Sequence, residues 1–225
     1  MIIPNIDFII DGTRKSLYDS YNLVLSSYRL SAPTPIVYTV DVPGADGLVD
    51  LTAVFGRVKY ASRKFECTAT AVGDRATLQQ IQGMILNDLL GKQANVQLYS
   101  YPSYYLESRI TKISDFNPEG IILKIVIEAD CQPYFLKNEI TSQTEIISDS
   151  KDVTLLNEDL IVSPDITVDS EMTLSWVDKI TGGTNQAVIS QGTHKIENLI
   201  LYKGNNLINV KGKGNVVFRY RKGRL

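Results

Sequence analysis

Few residues in this sequence could perform acid, base or nucleophilic chemistry. His194 is the only histidine, and Cys67 and Cys131 are the only cysteines. A hydrolytic triad needs a base beside its nucleophile, and a zinc site needs several clustered ligands. One histidine in a turn-like segment and two distant cysteines meet neither requirement. We therefore predict no catalytic residue and no metal site, with His194 solvated and both thiols reduced in an apolar core.

Glycine-rich and acidic segments also fail the templates of known binding loops. Residues 212–214 (Gly-Lys-Gly) and 182–184 (Gly-Gly-Thr) lack the spacing of a phosphate-binding loop, and we interpret both as hairpin turns. Asp46 and Asp50 lack the spacing of a calcium loop, and an Asp46-Gly47 β-turn accounts for them. We expect no cofactor. A carboxylate-based hydrolase stays open as a minor alternative, because two acids need only meet in space.

Charge and composition narrow the possible partners. The 225 residues are 44% hydrophobic and carry a formal net charge of −2, which indicates a packed protein without a field for nucleic acid or an anionic membrane. Basic residues nevertheless accumulate near residue 225. Because Arg219 and Arg221 alternate with Phe218 and Tyr220, we interpret them as one solvated or interface-facing sheet surface. The basic residues are Lys211, Lys213, Arg219, Arg221, Lys222 and Arg224.

Targeting signals are not recognisable. The first seven residues lack a basic segment, and Pro4 and Asp7 interrupt their apolar run. No window approaches the roughly 18 uninterrupted apolar residues of a membrane span. We therefore expect a protein that folds in a cytoplasm.

Most of the sequence alternates with period two, which is typical of strands with one buried face. Residues 64–71 alternate strictly and predict a strand, with residues 58–60 as its hairpin partner. The β-branched residues at 36–40 predict another strand. Residues 121–127, opened by Gly120, are apolar at nearly every position, so we expect a central strand covered on both faces. The predicted fold class is mainly β.

One segment breaks this pattern. Apolar residues with helical spacing predict a helix at about 77–90, the only one we expect. Asp74 or Thr77 can cap its first amides, and Gly91 suits a left-handed end. The stripe should pack on a sheet, with all its members in the core. Its members are Leu78, Ile81, Met84, Ile85, Leu89 and Leu90.

A polar stretch without periodicity divides the chain. We predict a first domain at 1–137 and a second at 138–225, with residues 138–150 as the linker. Short apolar runs punctuated by Gly and Asn follow, which is typical of a sandwich or jelly roll.

Aromatic residues leave two interpretations open. The tyrosine-rich residues 99–105 supply either a sugar-stacking surface or interface area and edge packing. Trp176 lies in an alternating strand, which favours a core position over a saccharide platform. A carbohydrate-binding β-sandwich module for cell-surface glycans is therefore the alternative function.

Several short segments follow one another in an ordered series. They are Val-Pro-Gly-Ala-Asp-Gly at 42–47, Asp-Leu-Thr at 50–52, Gly-Arg-Val-Lys-Tyr at 56–60, Asn-Asp-Leu-Leu-Gly-Lys at 87–92, Tyr-Tyr at 104–105, Cys-Gln-Pro-Tyr at 131–134, the glycine-rich stretch 204–214, and Phe-Arg-Tyr-Arg at 218–221. In this order they resemble the distal tail proteins of long-tailed bacteriophages and prophages, over nearly the whole chain. Ala45 departs from the arginine that members of that family often carry.

The resemblance implies a fold and a role. It implies an N-terminal β-barrel-like, split-barrel domain with one helix, followed by a galectin-like β-sandwich. It also implies a structural subunit, not an enzyme, that forms a hexameric ring through its first domain at the distal end of the tail tube. Such a ring docks tail-tip, tail-associated lysin and receptor-binding proteins. We expect a virion tail component assembled in the bacterial cytoplasm, with sheet edges continued between ring neighbours.

Overall fold

The structure, a computed structural model, describes residues 4–44, 46–52, 54, 57–114 and 121–225. The chain divides between Phe135 and Leu136 into two compact units, here called the first and the second unit. Each unit has a separate apolar core. The mainly β fold class is confirmed. Ala45, Gly56 and Gly120, which the sequence singled out, lie outside the described residues.

The first unit is built on one long antiparallel sheet. Its strands are β1 (Ile6–Ile10), β2 (Thr13–Ser16), β3 (Val24–Leu30), β4 (Pro35–Ile36), β5 (Thr39–Asp41), β6 (Leu48–Asp50), β7 (Lys59–Tyr60), β8 (Arg63–Val72), β9 (Gln93–Leu98), β10 (Tyr104–Ser114), β11 (Ile122–Cys131) and β12 (Phe135–Lys137), the last spanning the division. Seven strands follow the order β2-β1-β9-β10-β11-β8-β3. Two short pairs, β4 with β7 and β5 with β6, stand apart from this sheet.

The strands β8 and β11 alternate between a buried and an exposed face. Phe65, Cys67, Ala69 and Ala71 are at most 2% exposed, so the predicted strand at 64–71 is confirmed. Strand β11 lies inside the sheet between β10 and β8, as expected. Its expected burial on both faces is wrong, because Ile122 is 48% exposed. The helix packs against the opposite face, and the outward apolar residues of β11 meet solvent.

The predicted hairpin between residues 58–60 and 64–71 is also wrong. Strand β7 pairs with β4, and Tyr60 lies opposite Pro35. Strand β8 already has β3 and β11 as neighbours, so neither of its edges is open to residues 58–60. The single strand expected at 36–40 is instead divided between β4 and β5.

The predicted long helix is confirmed as α2 (Arg75–Leu89). The Asp74 carboxylate accepts a hydrogen bond from the Thr77 backbone N–H at 2.9 Å, and Gly91 has a φ of +75°. The buried stripe consists of Leu78, Ile81, Ile85 and Leu89. Met84 and Leu90 are 41% and 44% exposed, which corrects their expected core position. Each helical residue turns the chain by about 100°, so Met84, the neighbour of Ile85, lies at the margin of the stripe. Leu90 follows the last helical residue and has an extended backbone, with a ψ of +127°.

A second helix, α1 (Leu17–Tyr21), was not expected. Five residues are too few to show helical periodicity in sequence. Its limits are nevertheless chemically defined, since the Ser16 hydroxyl accepts from the Asp19 N–H and Asn22 adopts the left-handed conformation.

The second unit is a β-sandwich, as expected. Its strands are β13 (Thr141–Ile147), β14 (Ser150–Asn157), β15 (Asp165–Val168), β16 (Met172–Val177), β17 (Thr184–Ile189), β18 (Gly192–Lys195), β19 (Gly204–Gly212), β20 (Gly214–Tyr220) and β21 (Gly223–Arg224). One sheet has the order β13-β20-β15-β18 and the other β14-β19-β16-β17. Inward residues of both sheets form a single core.

Residues 138–150 are not a plain linker, which corrects the sequence interpretation. Residues 141–147 form β13, which pairs with β20 along its whole length. The polar composition misled the prediction because β13 is a half-exposed edge strand, and among its residues only Ile147 is buried.

The two glycine turns differ in kind. Residues 178–183 connect β16 with β17 in a hairpin, as predicted. The Gly-Lys-Gly turn is not a hairpin, because β19 and β20 belong to different sheets and the turn carries the chain between them. Gly214 has a φ of +141°, and a Cβ atom there would lie 2.1 Å from the Asp169 carboxylate, so glycine is required.

Candidate assembly surfaces

An exposed apolar hairpin projects from the first unit. We call residues 37–54 the arm; its centre is the β5–β6 pair, and residues 45 and 53 lie outside the described chain. All six residues of β5 and β6 are exposed, so neither face of the pair is covered. Large apolar side chains that are 41–64% exposed are Val37, Tyr38, Val40, Val42, Leu48, Val49 and Val54. Such concentrated apolar exposure is typical of an interaction surface.

Backbone and side-chain hydrogen bonds hold the arm in shape. The Leu51 N–H donates to the Tyr38 carbonyl at 2.8 Å, and the Tyr38 N–H donates to the Thr52 hydroxyl at 3.0 Å. The Asp50 carboxylate accepts from the Thr52 N–H at 2.8 Å, and this bonding to Thr52 lowers the pKa of Asp50. The arm is therefore ordered by polar contacts while its apolar side chains meet water.

The outward face of the seven-stranded sheet has the opposite character. Lys64 lies across from Asp130 and pairs with it at 2.5 Å. Lys112 pairs with Glu128 at 2.7 Å in the same manner. Opposite charges placed face to face on neighbouring strands satisfy each other without apolar burial. The part of the face around these pairs is therefore adapted to water, whereas Val24, Val72 and Ile122 on the same face are 48–65% exposed.

A buried arginine connects separate segments of the first unit. Arg63 is 7% exposed and donates from Nε to the Ser31 carbonyl at 2.8 Å. Its guanidinium lies 5.1 Å from the centre of the Phe135 ring and reaches the Pro133 carbonyl at 3.4 Å. Burial lowers the pKa of Arg63. The contacts tie the beginning of β8 to the segment that ends the unit, a role that sequence inspection missed.

The tyrosine-rich segment 99–105 supplies edge packing. The rings of Tyr99 and Tyr28 meet edge to face at 5.8 Å, and those of Tyr101 and Phe135 lie 4.8 Å apart. The Tyr28 hydroxyl also lies 2.7 Å from the Ser100 hydroxyl. These contacts match the interpretation as packing area, and the tyrosines belong to the first unit, outside the sandwich.

Asp88, in the family-like segment 87–92, joins three elements of the first unit. Its Oδ2 accepts from the Lys15 ammonium at 2.8 Å and from the Tyr21 hydroxyl at 3.0 Å. The bond from Lys15, followed by that from Tyr21, lowers the pKa of Asp88. Burial, followed by the bond to Asp88, raises the pKa of Tyr21. The segment therefore connects α2 with α1 and β2.

The residues considered for chemistry are dispersed. Cys67 and Cys131 are free and buried, as predicted, and desolvation raises the pKa of each thiol to about 12. His194 lies on β18, which corrects the turn assignment, and its Nε2 is 2.7 Å from the Ser190 carbonyl. Asp46 lies in a bend beside Gly47, whose φ is +80°. Within the described ranges, no group of three or more His, Cys, Asp or Glu side chains is placed to hold a metal ion.

Two further predictions concern the second unit. Trp176 is 7% exposed and its indole N–H donates to the Asn198 carbonyl at 3.2 Å, which confirms its core position. Arg219 is exposed between the buried Phe218 and Tyr220, as the alternation predicted. Of the helices that the structure describes, none is long and apolar enough to traverse a bilayer.

The fold, and not a sequence match, shows which known proteins this chain is similar to. No protein-family model and no curated protein sequence matches the chain. Among solved structures, the chain is similar to the Dit protein of phage SPP1, described as a paradigm of the hub adsorption apparatus in phages that infect Gram-positive bacteria. The identity is 16%, the TM-score 0.65, and the alignment covers 98% of this chain and 99% of that one. The chain therefore has a Dit-like fold over essentially its whole length.

A second similar structure is a chain of the phage p2 baseplate in its activated conformation with Sr. Its identity is 10%, its TM-score 0.49, and the alignment covers 100% of this chain and 99% of that one. The resemblance that the ordered sequence segments indicated is present in the fold through the similarity to the SPP1 Dit protein.

Proposed function

We propose that this chain is a structural hub subunit of a phage tail. In the proposal it forms a ring, expected to be hexameric, at the distal end of the tail tube and docks tail-tip and receptor-binding proteins in the virion. The observation that carries the proposal is the Dit-like fold across 98% of the chain. The host cytoplasm is the proposed site of assembly.

The arm is the proposed contact between ring neighbours. A ring of identical subunits needs a heterologous contact, in which one surface of each copy meets a different surface of the next. Stable contacts bury roughly 800 Å² per partner around an apolar centre. The arm offers such a centre, with seven large apolar side chains that are 41–64% exposed. The outward face of the sheet combines its charge pairs with a smaller exposed apolar group, Val24, Val72 and Ile122. The edge strands β2 and β3 are further surfaces that a neighbour can extend.

The glycan-binding alternative rests on a β-sandwich and a tyrosine-rich segment, and these two features lie in different units. The tyrosine-rich segment lies in the first unit, and the only tryptophan is buried in the core of the second. A sandwich that stacks neutral sugars needs an exposed aromatic face. The structural role is therefore the better-supported proposal.

Native mass spectrometry and negative-stain images of the purified full chain test the ring. We expect a closed oligomer, and a strict monomer at high protein concentration would contradict the proposal. The double substitution Val40→Asp with Leu48→Asp should abolish the oligomer, because it places two carboxylates in each apolar contact between neighbours. The matched control is Val188→Asp, which changes a 62% exposed valine of the second unit and should leave the ring intact.

A further inference from the structure

A groove of about 500 Å³ lies on the outward face of the sheet β13-β20-β15-β18. Asp165 on β15 lies opposite Lys195 on β18 and Arg219 on β20. Two residues further along β15, Thr167 lies opposite Thr193. Ile166, between Asp165 and Thr167, is turned inward. Residues opposite each other in antiparallel strands share a face, so these side chains form two rows across the groove.

The first row carries two cations and one acid. Lys195, Asp165 and Arg219 are all exposed, and among the described residues none of the three forms an ion pair within 4.0 Å. Arg221 adds a third cation at the margin, held by bonds from its Nη1 to the carbonyls of Lys137 and Asn138. The groove is thus locally cationic in a chain whose net charge is −2.

The second row carries hydroxyl groups. The hydroxyls of Thr167 and Thr193 lie 2.8 Å apart. Ser163 lines the groove as well and donates to the Ile196 carbonyl at 2.9 Å. Tyr220, the aromatic residue of the lining, is 4% exposed and so offers no ring face to a sugar. Ile140, which is 47% exposed, and Val162 add apolar area without direction, so the selective contacts in this groove come from charge and hydrogen bonding.

The order of the charges selects the ligand. Neighbouring strands lie about 4.8 Å apart, so Lys195 and Arg219 are anchored roughly 10 Å apart with Asp165 between them. A continuous polyanion would set a negative charge over Asp165, which costs energy. A chain that alternates negative groups with hydroxyl groups would meet both cations and donate hydrogen bonds to Asp165. We propose that this groove binds an anionic glycan or polyol chain of that alternating kind.

The direction of the groove disfavours an acidic polypeptide. The three charged residues of the first row lie on adjacent strands, so a chain bound along that row crosses the strands. A peptide that adds to a sheet runs along the edge strand and uses its own backbone groups. Such a peptide, added beside the edge strand β18, would leave Arg219, two strands away on β20, without a partner.

Titration of the full chain by isothermal calorimetry at low salt tests the site. The probes are poly(glycerol phosphate) and polygalacturonate, which separate phosphate from carboxylate as the negative group, with dextran and polyglutamate for comparison. We expect binding of at least one of the first two and none of dextran. Arg219→Gln and Lys195→Gln should each weaken binding about three- to tenfold, as expected for one charge-assisted contact. Lys211→Gln, an exposed lysine on the other sheet, should change it less than about twofold.

Other results would overturn the assignment. Absence of binding by both anionic polymers, or binding unaffected by the Arg219 and Lys195 substitutions, excludes the groove. Polyglutamate bound as tightly as the better polymer assigns it to an acidic polypeptide instead, and dextran bound equally assigns it to a neutral glycan. Asp165→Asn supplies a further check, since it should increase the affinity for polyglutamate. Native mass spectra of the same samples report the ring separately, so failure of one proposal is distinguishable from failure of the other.

Discussion

The arm and the charge-paired part of the outward face of the seven-stranded sheet are both exposed parts of the first unit, yet they meet water in opposite ways. On the sheet face, Lys64 and Lys112 lie across from acids and pair with them. In the arm, Leu48 is 64% exposed and contributes to no core. An exposed surface that has only to be soluble does not need this apolar character. The difference supports the proposal that the arm's side chains serve a contact outside the subunit.

The same comparison separates the residues that fold the first unit from those proposed to assemble it. The inward residues of β8, β11 and α2 form one core, and Asp88 and Arg63 add polar ties around it. Among the described residues, the strands of the arm pair with each other in a separate two-stranded sheet and form no ladder with the sheet of this body. Substitutions in the body should therefore change stability, and substitutions in the arm should change assembly.

The largest expected difference in stability concerns two leucines. Leu123→Ala should lower the free energy of unfolding by about 3 kcal/mol, because Leu123 is fully buried and leaves a cavity. Leu48→Ala should change it by less than about 0.5 kcal/mol, because its side chain is mostly exposed. Urea unfolding followed by circular dichroism, at protein concentrations where the chain is monomeric, measures both. A loss above about 1 kcal/mol for the arm substitution would show that the arm is part of the folded body.

Substitution of Arg63 should have an intermediate effect on the free energy of unfolding. Arg63→Met keeps the volume but removes the donor to the Ser31 carbonyl and the cation over Phe135, so unfolding should become easier by about 2 kcal/mol. Thermal and urea unfolding measure the loss. The control is Arg29→Met, an exposed arginine on β3, and an equal loss in both variants would refute a specific tie by Arg63.

Substitution of Asp88 should have the smallest effect on the free energy of unfolding, and this effect should depend on pH. Asp88→Asn should lower stability by about 1 kcal/mol at neutral pH, because Lys15 loses its ionic partner. The pKa of Asp88 is lowered in the folded chain, so its contribution is complete above the unfolded value of about 3.9 and disappears as pH falls through the folded value. The difference between wild type and variant should therefore vanish on acidification. Urea unfolding at neutral and acidic pH checks this, with the exposed Asp11→Asn as the control; a difference that persists in acid would disprove the ionic origin.

Local patterns were sufficient for many elements of the fold. Alternation located β8, helical spacing located α2, and Asp74 and Gly91 marked its ends, because each signal depends on residues close in sequence. The same rules failed where a signal was short or balanced. Helix α1 has only five residues, and β13 alternates among polar side chains, so neither produced a recognisable pattern.

What the sequence determined by itself is the mainly β class, the single long helix, the scarcity of catalytic residue types and the ordered segments that resemble distal tail proteins. Only the tertiary structure decided that the 212–214 turn changes sheets, that Asp88 meets Lys15, and that Asp165 lies between Lys195 and Arg219. The physical reason is the range of the interactions. Periodicity and capping act within a few residues, whereas strand neighbours and ionic partners are chosen by the packing of segments far apart along the chain.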